Sequence, residues 1–207
     1  MEKDNFFRFA GILFLIIGIT AVINTLYQNT QRDLGLASIL WFSYIGMILL
    51  GIGTLKKDSS LILSQLNILG IPYIFWNIDF YYHLIKGHSL FNIADYFFIE
   101  GPLLGKIISS QHLITVPLAL VLIYLIGLKR KDAWKLSFIQ LIIVFFATRL
   151  VTTYEENVNC VFSNCANFDF GFWYPLQWFM AMFLLVFVTN WIVVKLFWRE
   201  KRASKIY

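Results

Sequence analysis

Asp79 and His83 stand four residues apart in the stretch WNIDFYYHLIKGH. At that spacing two side chains share one face of a helix, and Trp76 falls on the same stripe one turn earlier. His112 follows in SSQHLIT, beside Gln111. Asp79, His83 and His112 together would make a three-ligand site for a divalent metal with an open coordination position. Without metal, His83 or His112 held by a carboxylate would serve as a general base. Arg149, in ATRLVTTYEENVN, is the one strong cation inside apolar sequence. A buried arginine needs an acid, and Asp79 or Glu156 is the expected partner. Asp79, His83, His112 and Arg149 are thus the candidate catalytic set. Trp76, Gln111, Glu156, Asn157, Asn159 and Gln177 are candidate ligand contacts, and a divalent metal is the candidate cofactor.

These residues must be positioned by apolar elements. Of the chain's 207 residues 59% are hydrophobic and 14% charged, whereas a soluble domain carries about 25% charged residues. Lipid is therefore the solvent for most of the surface. A helical span needs about 20 mainly apolar residues, and six windows qualify: Phe7–Tyr27, Leu36–Leu55, Ser60–Leu84, Ile107–Leu128, Ala133–Val151 and Phe172–Phe197. They are too long for barrel strands, and no internal repeat or linker divides them. The expectation is an all-α, polytopic membrane protein, a single domain over residues 1–207 built as a bundle of six transmembrane helices. The first window exceeds the apolar region of a signal peptide and lacks an A-x-A site, so it reads as a retained helix. Pro72 inside the third removes a backbone donor and would kink it.

Charge sets the orientation. One set of flanks holds thirteen lysines and arginines, from Lys3 and Arg8 through Lys56, Lys57, Lys129, Arg130, Lys131, Lys135 and Lys195 to Arg199, Lys201, Arg202 and Lys205. The other holds Arg32, Lys86 and Lys106. Under the positive-inside rule both termini are cytoplasmic in a multi-pass protein of the cell membrane. The net charge of +5 thus reads as a topology signal, with lipid as the partner and nucleic acid excluded.

The candidate residues then gather towards the outer face. In SLFNIADYFFIEGP the spacing of Leu90, Ile93, Ala94 and Phe97 predicts a short amphipathic helix in the interface, N-capped by Ser89 and stopped at Gly101-Pro102. Cys160 and Cys165, in NCVFSNC, are the only cysteines. Outside the cytoplasm such a pair oxidises to a disulfide, and its spacing is not the C-x-x-C of exchange chemistry. Asn157, Asn159 and Asn164 fail the glycosylation rule, and no Walker A, G-x-G-x-x-G, H-E-x-x-H or G-x-S-x-G motif occurs.

Several landmarks fall in a fixed order. They are Trp76 and Asp79; Asp95-Tyr96-Phe97-Phe98; Ser109 and His112 ahead of Pro117; GLKRKDAW; and Asn157-Val158-Asn159-Cys160-Val161. This series resembles a family of uncharacterised prokaryotic multi-pass membrane proteins over about Trp76 to Val161. It departs from that pattern at Cys160, where the family has an aromatic, and in the proline spacing after His112. The resemblance implies a choice of residues and supplies no reaction.

Three functions fit these features. The first is an extracytoplasmic-facing polar site that binds or modifies a lipid or small amphipathic ligand. The second is a structural or assembly subunit that docks a membrane-protein partner or another copy of itself. The third is a transporter of protons, metal ions or small solutes, with Gln65, Asn67 and Gln140 on its inner path. Whether the chain is an enzyme is left open by the residues alone.

Overall fold

The computed structural model describes residues 2–31, 36–165, 171 and 173–198. The expected start of the sixth span at Phe172, together with Arg32, Arg199, Lys201, Arg202 and Lys205, lies outside them. The described chain is all-helical, with α1 at Glu2–Gln31, α2 at Phe42–Leu55, α3 at Ser59–Lys86, α4 at Asp95–Phe98, α5 at Leu103–Ser109, α6 at Gln111–Ile126, α7 at Trp134–Val151 and α8 at Tyr174–Phe197. Five helical stretches are long and apolar enough to cross a membrane, α5 and α6 counting as one. This is the all-α polytopic bundle the composition implies.

The second expected span is the exception. Leu36–Leu40 is a 3-10 turn, Trp41 has extended backbone (φ −54°, ψ 130°), and α2 is only 14 residues long. That helix rises about 21 Å, against a hydrocarbon core of about 30 Å. A backbone break among apolar elements must have its groups re-satisfied by protein, and Asn159 does so. Its Oδ1 accepts from Phe42 N at 2.8 Å, and its Nδ2 donates to Leu40 O at 2.8 Å. α2 also lies close against α1, because a Cβ at Gly51 would fall 2.8 Å from the Gly11 carbonyl oxygen. Small residues at such a contact let helix backbones approach.

α3 is the central element. Asp58 caps it by accepting from Ser60 N and Leu61 N, and Gly87 ends it in the left-handed region at φ +76°, the conformation that glycine adopts without a Cβ penalty. The helix runs unbroken through Pro72. Its buried polar residues meet those of α7 and α8: Gln65 and Gln140 exchange amide hydrogen bonds at 2.8 and 3.1 Å, and Asn67 Nδ2 donates to Ser137 Oγ and Asn190 Oδ1.

The bundle has two chemically different ends. At one, Lys57 pairs with Asp4, the Lys129 ammonium donates to the Lys57 carbonyl, and Lys131 lies over the Trp198 ring. The Asp132 carboxyl there is held down at about 2 by Arg130 and Lys135. The other end carries residues 87–102, the break at Trp41 and the Cys160–Cys165 disulfide.

Candidate functional site

Asp79 is fully buried, and its carboxylate is saturated by backbone. Oδ1 accepts from Leu90 N and Phe91 N, both at 2.7 Å, and Oδ2 accepts from Ile93 N and Ala94 N, both at 2.8 Å. The loop after α3 is wound around this one side chain. The amphipathic helix expected over residues 90–97 therefore contracts to the four residues of α4, because the amides that would start it are spent on Asp79. Ser89 is not a helix cap: its hydroxyl donates to Asp95.

The three proposed metal ligands are engaged separately. His83 stacks face to face on Phe98 at 3.8 Å, with Nδ1 3.1 Å from Ser89 Oγ and 3.2 Å from Asp95 Oδ1. One ring nitrogen faces both groups, unlike a triad, in which the base joins nucleophile and acid through its two nitrogens. His112 lies between Tyr73 (4.4 Å) and Trp76 (4.6 Å, stacked) and donates from Nδ1 to the Ser109 carbonyl at 2.6 Å. Among the described residues, no three His, Cys, Asp or Glu side chains group as a metal site, which corrects the expectation of an Asp79–His83–His112 centre. Arg149 also lacks the acid expected for it. Its guanidinium lies over the rings of Phe162 (4.9 Å) and Phe145 (5.5 Å), and no carboxylate pairs with it among the described residues. Asp79 is occupied by the loop. Glu156 forms a reciprocal turn with Thr153, accepting from Thr153 N while Glu156 N donates to Thr153 Oγ1.

Asn157 and Asn159 take left-handed backbone, at φ +38° and +55°, which asparagine tolerates better than most residues. Asn157 Oδ1 accepts from Phe162 N and Ser163 N, closing the loop that the disulfide clamps, and the Asn159 carbonyl accepts from Trp178 Nε1. Gln177 is buried beside Trp178 at the start of α8. Both asparagines are thus built into the fold.

Two of the expected ligand contacts do come together with His112. Trp76, Gln111 and His112 line a cavity of about 670 Å³ at the disulfide end. Its other walls include Asn24 of α1, Trp41 and Tyr44 around the break before α2, Asn92, Ile93, Tyr96 and Phe97 of the loop that Asp79 organises, and Gly105 and Lys106 of α5. Cys160 and Cys165 border it as well. The Trp76 indole donates to Tyr96 Oη at 3.0 Å, and Gln111 Nε2 donates to Tyr73 Oη at 3.0 Å. Asn77 Nδ2 ties α3 to α6 through the His112 carbonyl at 2.9 Å. With the His112 Nδ1 proton on Ser109, Nε2 is the ring's lone-pair nitrogen, and Gln111 Nε2 is 3.4 Å from it. Burial raises the Tyr96 phenol above its ordinary value, so its hydroxyl stays neutral. The cavity thus combines flat aromatic walls with convergent polar groups, the usual make-up of a small-molecule site.

Compared with known proteins, the chain matches no family model, no curated protein and no solved structure. The resemblance drawn from short landmarks therefore has no match behind it. What the structure gives those landmarks is physical: Asp79 organises a loop, Asn159 repairs a helix break, and His112 faces a cavity.

Sequence reasoning missed Trp41, Tyr44, Tyr96 and Lys106 as cavity residues. For Trp41 no local signal exists, since nothing near it marks the backbone break. Lys106 is legible as a cation away from the main lysine cluster, a signal that speaks to topology and not to a cavity.

Proposed function

We propose that the chain is an integral membrane protein that takes a small amphipathic molecule into the cavity at its disulfide end. The observation that carries this reading is the lining itself. Trp41, Tyr96 and Phe97 line it with aromatic surface for an apolar body, while His112 and Lys106 bring polar groups to a head. A volume of about 670 Å³ falls in the range of about 300–1,000 Å³ typical of ligand sites.

Two observations support an outward-facing cavity and cytoplasmic termini in a cell membrane. Lys57, Lys129 and Lys131 gather at the end opposite the cavity, as cytoplasmic flanks do. The Cys160–Cys165 disulfide borders the cavity, and disulfides persist in oxidising compartments. In this reading Asp79 is a structural anchor, and His112 is part of the cavity's aromatic wall, stacked on Trp76.

Gly105 supplies the test. It lines the cavity, and a Cβ there would meet nothing within 4 Å, so Gly105→Phe fills the space without disturbing the bundle. Mass spectrometry of small molecules retained by detergent-purified protein should find an amphipath in the wild type that is depleted in Gly105→Phe. The same retained species at the same occupancy in both proteins would refute the reading.

A further inference from the structure

The cavity has an electrical sign. Among its described lining residues Lys106 carries the one fixed charge, and no carboxylate faces it there. Lys106 is half-buried on α5, and its ammonium pairs with no acid among the described residues. An ammonium is a donor of three hydrogen bonds with nothing to accept. Half-buried at the cavity wall, it is less well hydrated than a lysine in open water, and an incoming anion would restore what it lacks.

Size narrows the occupant further. A cavity of about 670 Å³ lies within the range of about 300–1,000 Å³ that takes a small ligand. That suits one acyl chain with a compact head.

We infer that the ligand is a single-chain amphipath with one anionic head, a carboxylate or a phosphate monoester, which the Lys106 ammonium binds while Trp41, Tyr96 and Phe97 cover the first part of the chain. This rests on the cavity reading above and adds the chemical class of the ligand. Ser109, one turn beyond Lys106 on α5, lines the same cavity and hydrogen-bonds the Tyr96 phenol there.

The test compares three probes of equal chain length: a fatty acid, a lysophosphatidate and a neutral monoacylglycerol. Each is titrated into wild type, Lys106→Gln and Lys106→Arg in detergent, read by the fluorescence of Trp41 and Trp76, with Gly105→Phe as the blocked control. The wild type should prefer at least one anion over the neutral probe by about tenfold, the scale of one hydrogen bond to a charged group. Lys106→Gln should erase that preference and Lys106→Arg should keep it. The tighter of the two anions identifies the head as carboxylate or phosphate. Equal affinity for neutral and anionic probes in the wild type, or a preference untouched in Lys106→Gln, overturns the inference and leaves the cavity reading standing. Failure of all three probes to bind a well-folded wild type overturns both.

Discussion

Replacing Asp79 by asparagine tests whether this acid builds structure or does chemistry. Its two oxygens accept from four backbone amides, two each: those of the exposed residues Leu90 and Phe91, and those of half-buried Ile93 and buried Ala94. An asparagine retains one oxygen and presents an NH2 group to the other pair, so two amides lose their acceptor and face a donor. A buried donor left unsatisfied costs about 1–3 kcal/mol, which gives about 2–6 kcal/mol if the Ile93–Ala94 pair is lost and less for the exposed Leu90–Phe91 pair. The loss falls on residues 88–98 first, because the carboxylate gathers four of that loop's amides. Hydrogen exchange followed by mass spectrometry should show the peptide over 88–98 losing protection while α7 and α8 keep theirs. Ligand retention should fall as well, since Asn92, Ile93, Tyr96 and Phe97 form one wall of the cavity. The reasoning fails if Asp79→Asn leaves the exchange of that peptide unchanged and its stability within about 0.5 kcal/mol, the range of neutral surface changes.

Asn159→Ala should cost about 3 kcal/mol in detergent unfolding, from the orphaned Phe42 amide and Leu40 carbonyl together; an unchanged midpoint would contradict its role at the helix break. Gly51→Val should destabilise the bundle by about 2 kcal/mol through overpacking against α1, whereas Gly105→Phe should leave the midpoint in place. Reducing the Cys160–Cys165 bond, which closes a loop of sequence separation 5, should cost about 2 kcal/mol in the chain-entropy account, measured with and without reductant. Tyr96 has its pKa raised above 10.0 by burial, so the folded state keeps a proton that the unfolded state gives up. Its contribution is therefore complete below pH 10 and is lost as pH rises through the folded value. Tyr96→Phe should flatten the stability loss on the alkaline side.

The bundle was legible because lipid imposes a simple rule: long apolar runs must be helices. Five of six windows obeyed it. Leu36–Leu55 did not, and the reason lies 117 residues away, in the Asn159 amide that satisfies the broken backbone. No periodicity within the window carries that information. The same limit governs the site. His112, Trp76 and Gln111 were picked out as polar or amphipathic groups near a span end, and the fold brings them to one cavity. Asp79 and Glu156 were also picked out by type, but their partners are backbone amides, which a sequence does not distinguish from one another. The pairing of Asp79 with Arg149 rested on charge alone, and loop amides reached the carboxylate instead.

A photoreactive single-chain amphipath, cross-linked to the protein in native membranes and mapped by peptide mass spectrometry, tests the cavity most directly. The account predicts labels concentrated in the peptides holding Trp41, Trp76 and residues 92–112, competed away by unlabelled amphipath and absent in Gly105→Phe. Labels spread over exposed apolar residues such as Leu184 and Leu196, indifferent to competitor and to the filled cavity, would contradict it.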